Sequence, residues 1–140
     1  MANKGKSKAL KWCDEEIAFC KLKYCLVTDE ATYLRVMKSK GVSYPSRFIS
    51  EGSSATTHTF ISETEGGIAL VCLDLNDSLS HPGIEIAGLL VHEAVHIWQR
   101  DCELRGEKHP SDEYEAYAIQ IISQNLMWQY RDSLEKRPKK

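Results

Sequence analysis

Long apolar runs and a secretory signal are both missing from this sequence. No apolar run approaches the roughly 20 residues that a helix needs to cross a bilayer. The longest candidate, residues 84–91, contains Glu85 and runs directly into His92 and Glu93. The basic residues at the start are not followed by the uninterrupted apolar stretch of a signal peptide. We therefore expect a cytoplasmic protein without a membrane partner.

The C-x-x-C spacing of zinc ribbons is also absent, which argues against a site built from cysteine alone. An odd number of cysteines cannot all form pairs within one chain, and a reducing compartment keeps thiols free. We interpret them as small, buried apolar side chains. The five cysteines are Cys13, Cys20, Cys25, Cys72 and Cys102.

Glycine and proline are scarce, with eight and four residues in a chain of 140, and no internal repeat interrupts the sequence. This composition is typical of one globular domain, long enough to bury a core without disulfides. We therefore predict a single domain over residues 12–135.

Positive charge is concentrated at the two ends of the chain. Residues 1–11 and 136–140 hold eight of the eighteen basic residues and none of the twenty acidic ones, so the region between them has a formal charge of −10. We interpret both ends as solvated basic tails. An arm for an anionic partner is the alternative, but no aromatic residues are interleaved to stack on bases, so nucleic acid is not the partner we expect.

Hydrophobic periodicity predicts an α+β order of elements. Three- and four-residue steps predict a first helix near residues 9–26, and Thr28 or Asp29 can cap a second helix ending near Gly41. Residues 42–54 read as a loop. Two β-branched segments around a turn at residues 65–67 predict a β-hairpin of residues 56–62 and 68–75.

Two further helices follow the hairpin and complete the predicted domain. The first extends from about Ile84 to Leu104, and the second begins after Ser111 or Asp112. The fold class is therefore α+β, with N-terminal helices, a small antiparallel sheet and two C-terminal helices. The predicted buried side of the last helix includes Tyr114, Tyr117, Ala118, Ile121 and Trp128.

The most informative motif is His92-Glu93-Ala94-Val95-His96. Side chains four residues apart lie on one face of a helix, about 6 Å from each other. Two imidazoles in that arrangement can bind one Zn²⁺. Glu93 is rotated by about 100° from His92, so it is placed to act as a general base toward a water rather than as a ligand.

A catalytic zinc ion requires a third protein ligand, and spacing alone leaves several candidates. Cys102 is excluded because, in a continuing helix, it lies about 240° around the axis from His96. His109 is within reach. Glu113 and Glu115 lie at the start of the last helix, and a capping box from Asp112 to Glu115 would leave Glu113 free.

His92-Glu93-x-x-His96 followed by Glu113-Tyr114-x-Ala116 resembles the gluzincin metallopeptidases. The closest are compact members with an E-x-x-A motif, such as the ImmA/IrrE-like peptidases and small phage-encoded zincins. The resemblance covers roughly residues 84–126. It implies a zincin-like fold that binds one Zn²⁺ through His92, His96 and Glu113, with Glu93 as the general base. It also implies that one hairpin strand pairs with an extended peptide substrate.

One position departs from the resemblance. Many gluzincins carry Asp four residues after the ligand Glu, where it orients a ligand His, and this chain has Tyr117 there. A phenol oxygen can accept the same hydrogen bond. Tyr117 and His109 are the candidate donors to the oxyanion of the tetrahedral intermediate. We therefore expect a zinc peptidase, with a zinc-binding regulatory or interaction module of little turnover as the alternative.

Overall fold

A three-stranded sheet lies at the centre of the molecule. The computed structural model describes residues 10–13, 22–62 and 66–137. Within them, β1 (Leu22–Val27), β2 (Ala55–Ser62) and β3 (Gly66–Leu73) form a sheet in the order β1-β3-β2. Strand β3 is parallel to β1 and antiparallel to β2. The sheet is therefore mixed, with β3 in the middle.

The helices begin and end at residues whose chemistry explains their limits. Helix α1 (Glu30–Ser39) is capped by the Asp29 carboxylate, which accepts from the Thr32 amide. A short α2 (Leu75–Ser78) follows β3. Helix α3 (Gly83–Arg105) ends at Gly106, whose φ of 68° suits glycine. Helix α4 (Asp112–Glu135) begins after Ser111, whose hydroxyl accepts from the Tyr114 amide.

The two faces of the sheet carry separate hydrophobic cores because side chains alternate along each strand. On one face, α3 and α4 pack on a layer that includes Leu22, Val71 and Ile97. On the other face, α1 packs through Tyr33 and Met37. Helix α3 is thus fixed against both the sheet and α4, which gives a site on it rigid support.

The α+β class is confirmed, but two parts of the predicted architecture are wrong. Leu22–Val27 is a strand rather than the end of a first helix, and it turns the predicted antiparallel sheet into a mixed one. Of the supposed helical stripe, Tyr24 lies in β1 and Cys13 pairs with it as an isolated antiparallel bridge. Residues 14–21, the middle of that predicted helix, lie outside the described residues.

Apart from the short helix α2, which lies where a loop was predicted, the remaining elements follow the predictions closely. The capped second helix, the hairpin and both long helices are present. The predicted turn at residues 65–67 is displaced, since Gly66 and Gly67 already belong to β3. A Cβ atom at Gly67 would lie 2.5 Å from Leu22 Cδ2, so a larger residue there would require this buried leucine to shift. Of the cysteines that the structure describes, Cys25, Cys72 and Cys102 are buried free thiols, as predicted, whereas Cys13 is only partly buried.

The buried stripe of α4 differs from the predicted one. Ala118, Ile122 and Leu126 are buried, whereas Tyr117 and Trp128 are largely exposed. The stripe repeats every four residues, which rotates Tyr117 and Trp128 out of the interface. The predicted basic tails lie mostly outside the described residues. In the part of the chain that the structure describes, no helix is apolar over a length that could span a bilayer.

Candidate active site

Helix α3 brings His92 and His96 together on one exposed face. Their Nε2 atoms are 3.1 Å apart, and the ring centroids are 4.8 Å apart with the ring planes 80° from parallel. The helix continues without interruption for two turns on either side of the pair. The juxtaposition therefore follows from four-residue spacing on a regular helix.

The separation of the two nitrogen atoms fits a shared metal ion. Two nitrogens bound to one tetrahedral zinc at 2.0–2.1 Å lie about 3.3 to 3.4 Å apart, and the two Nε2 atoms are 3.1 Å apart. The Nε2–Nε2 separation is therefore close to the one that a shared zinc ion requires. The donor set of two imidazoles also has the chemistry that zinc prefers.

Glu93 lies between the two histidines in sequence but points toward the interior. It is 5% exposed, whereas both histidines are exposed. The Thr57 hydroxyl of β2 donates a hydrogen bond to Glu93 Oε2. A buried carboxylate without such a donor would be costly, so Thr57 both satisfies this oxygen and fixes the direction of the side chain.

A groove of about 530 Å³ runs between α3 and β2 and contains this carboxylate and both imidazoles. Strand β2 is an edge of the sheet within the described residues, whereas β3 is paired on both sides. Of the two hairpin strands, β2 is therefore the one with an edge to which an extended peptide could add. The residues that line the groove are Ser50, Ser53, Ala55, Thr56, Thr57, Thr59, Ile61, His92, Glu93, His96 and Arg100.

The acidic candidates for a third ligand lie at the start of α4. Ser111, not Asp112, caps the helix, so the predicted capping box with Glu115 does not form. Glu115 instead accepts a hydrogen bond of 2.8 Å from Trp98 Nε1, and Glu113 is exposed. Among the described residues, no group of three or more His, Cys, Asp or Glu side chains is placed to hold a metal ion. The structure therefore brings the two histidines together without Glu113.

The other predicted catalytic residues lie outside the groove lining. Tyr117 is 61% exposed on α4. His109 is exposed in the α3–α4 loop, where its backbone amide donates to Glu107 Oε1. Cys102, excluded from the ligands on sequence grounds, is buried, and this burial raises the pKa of its thiol. The structure therefore places neither Tyr117 nor His109 in the groove with the histidine pair.

Among the groove residues that the sequence analysis did not identify, Arg100 and Thr57 bear most on the function. Arg100 lies four residues after His96, and this spacing alone predicts that it shares a face of α3 with the two histidines. Thr57 carried no such signal, because its contact with Glu93 joins β2 to α3 across 36 positions of sequence. Comparisons with models of protein families, with curated proteins and with solved structures found no match to this chain.

Proposed function

We propose that this protein is a zincin-like, zinc-dependent peptidase. The observation that carries the proposal is the arrangement on α3 of two imidazole Nε2 atoms 3.1 Å apart beside a buried carboxylate, all in one groove. Two nitrogen donors and an adjacent general base are three of the parts of a hydrolytic zinc centre, which also takes a third protein ligand.

His92 and His96 would hold the ion through their Nε2 atoms. When bound, zinc supplies a Lewis acid that polarises the scissile carbonyl and increases the acidity of water. Glu93 takes a proton from the attacking water as the new carbon–oxygen bond forms. It then passes that proton to the leaving nitrogen as the carbon–nitrogen bond breaks. Thr57, which lines the same groove, holds the carboxylate in place through its hydrogen bond to Oε2.

The substrate would lie along β2. An extended peptide can add to the free edge of this strand through main-chain hydrogen bonds, and the groove runs between the strand and the two histidines. The unpaired thiols of Cys25, Cys72 and Cys102 fit a reducing compartment, and we propose a cytoplasmic location.

A catalytic zinc ion takes a third protein ligand in addition to the two histidines. Glu113 is our candidate, because Glu115 is already engaged by Trp98. Metal binding would then require the Glu113 side chain to join the histidine pair. We expect Glu113→Gln to weaken zinc affinity at least tenfold, and Glu115→Gln to leave it nearly unchanged. The reverse order would assign the role to Glu115.

Metal analysis combined with hydrolysis tests the function. After dialysis against zinc and then buffer, we expect about one zinc per chain in the wild type and much less in His96→Ala. His81→Ala is the matched control, since His81 is an exposed histidine between Asp77 and Glu85, away from the groove. Glu93→Gln should keep the metal and lose at least a hundredfold in the cleavage of labelled casein.

A zinc-dependent peptide-binding module without turnover is the second candidate. It is favoured by the lack, among the described residues, of a third ligand group beside the histidines. Zinc-bound wild-type protein that leaves casein intact, with or without chelator, would favour this candidate. Chelator-sensitive hydrolysis that survives in Glu93→Gln would remove Glu93 from the mechanism.

A further inference from the structure

Arg100 gives one end of the groove a positive charge. It follows His92 and His96 on the same face of α3 and lines the same groove. The groove is otherwise lined mainly by hydroxyl-bearing and small side chains, and the Glu93 carboxylate is buried beneath it. A ligand in this groove therefore meets a guanidinium at one end.

The direction of β2 relative to α3 determines which end that is. Thr57 contacts Glu93 near the middle of α3. Ile61 is paired with Gly67, and a Cβ atom placed on Gly67 would lie 3.3 Å from Leu104 Cδ1, near the end of α3. From Thr57 to Ile61, β2 therefore runs in the same direction as α3, and Arg100 lies toward the Ile61 end.

A peptide added to β2 has a preferred direction. Antiparallel pairs outnumber parallel ones two- to threefold, and β2 already pairs antiparallel with β3. An antiparallel peptide places its N-terminal part toward Ile61 and therefore toward Arg100. Seven helical residues separate Glu93 from Arg100, an axial distance of about 10 Å, which corresponds to about three residues of extended peptide.

The present partner of Arg100 does not prevent a new contact. Arg100 is bonded to Glu103 at 2.8 Å, with side-chain exposures of 54% and 63%. Such exposed pairs are weak and exchange readily for a better-placed carboxylate. A guanidinium binds a carboxylate through two parallel hydrogen bonds, which neutral side chains cannot match.

We propose that Arg100 selects peptides carrying Asp or Glu about three residues to the N-terminal side of the cleaved bond. This inference rests on the proposed peptidase function. It identifies an internal acidic side chain, rather than a terminal carboxylate, as the recognised group, because a C-terminal carboxylate would lie toward the opposite end of the groove. Arg100 is thus a specificity-determining residue.

Peptide binding tests the inference without requiring turnover. The zinc-loaded Glu93→Gln protein is titrated with two fluorescein-labelled decapeptides of alternating valine and serine that differ only in Asp or Asn at the fourth residue. We expect the Asp peptide to bind about three to ten times more tightly. Adding Arg100→Ala should abolish the difference, and raising the salt from 50 to 500 mM should reduce it. Equal binding, or no binding of either peptide, would overturn the inference.

Arg131→Ala is the matched control. Arg131 is also an exposed helical arginine, bonded to Glu135 one turn away at 3.1 Å, but it lies outside the groove lining. Its removal should preserve the Asp preference; equal losses in both variants would assign the preference to net charge and refute the role of Arg100.

Cleavage mapping locates the acidic residue relative to the cut, and it tests the role of Arg100 separately from the peptidase function. Wild-type enzyme is incubated with a proteome-derived peptide pool, and the cut sites are read by mass spectrometry. We expect at least threefold enrichment of Asp and Glu two to four residues before the cut, lost in Arg100→Ala. Cleavage with no enrichment, or with enrichment after the cut, overturns the inference and leaves the peptidase function standing. No cleavage beside an intact binding preference overturns the peptidase function, and with it the position relative to a cleaved bond, and leaves Arg100 as the residue that selects acidic peptides.

Discussion

Replacing Thr57 with valine tests how the general base is held. Valine keeps the shape of threonine and removes only the hydroxyl that donates to Glu93 Oε2. Because Glu93 is 5% exposed, water cannot readily replace this donor. The carboxylate would lose its partner.

The expected loss follows from the nature of the bond. A hydrogen bond to a charged group contributes about 1.5 to 3 kcal/mol, so Thr57→Val should lower the free energy of unfolding by about 2 kcal/mol. In a Glu93→Met background there is no charge to satisfy, and the same change should be nearly neutral. The double-mutant cycle therefore predicts a coupling of about 2 kcal/mol between the two positions.

Urea unfolding at pH 7, with chelator present so that metal binding does not contribute, measures this coupling. With the usual denaturant dependence, 2 kcal/mol corresponds to a shift in midpoint of about 1 M. Thr59→Val is the control, since Thr59 lies two residues further along β2 on the same side and lines the same groove. A coupling below about 0.5 kcal/mol for Thr57, or an equal one for Thr59, would refute the reasoning.

Two further predictions concern stability away from the groove. Burial, with a smaller contribution from Cys13, raises the pKa of the Cys25 thiol to about 12. The unfolded chain therefore releases this proton from about pH 8.5 while the folded protein retains it. The thiol thus makes stability fall by about 1.4 kcal/mol per pH unit above pH 8.5. Between pH 8 and 10, the wild type should lose about 2 kcal/mol more than Cys25→Ala in urea unfolding, and equal losses would contradict this. Asp101 is 1% exposed and bonded to Arg105 at 2.7 Å, so Asp101→Asn should cost about 3 kcal/mol in thermal unfolding. Glu103→Gln, in an exposed pair, should cost less than 0.5 kcal/mol, and similar losses in both variants would contradict the argument.

The parts of the site that depend on one helix could be predicted from the sequence. His92 and His96 meet because a regular helix brings every fourth residue to one face, and no other element is needed to place them. The limits of α3 were equally local, since Gly106 ends the helix in the left-handed conformation that glycine favours. Local rules thus sufficed for the donor pair and for the helix that supports it.

Strand β1 shows why the first part of the fold was predicted incorrectly. Five of the six residues in Leu22–Val27 are buried, because cores lie on both faces of the sheet. A strand buried on both faces loses the alternation of polar and apolar residues that marks a half-buried strand. A short apolar run of this kind also fits a helix, and its pairing with β3 is visible only in three dimensions.

The relation between α3 and α4 could not be predicted from the same local rules. A wheel of α4 puts Glu113 and Glu115 on opposite edges of its apolar face, and only packing decides what each one contacts. The indole of Trp98 engages Glu115, which follows from the rotation of α4 about its axis rather than from spacing along the chain. A rotation of one residue, about 100°, would exchange the surroundings of neighbouring side chains. Ligand identity in such a site is therefore a property of helix packing, and zinc affinity in Glu113→Gln and Glu115→Gln measures that packing directly.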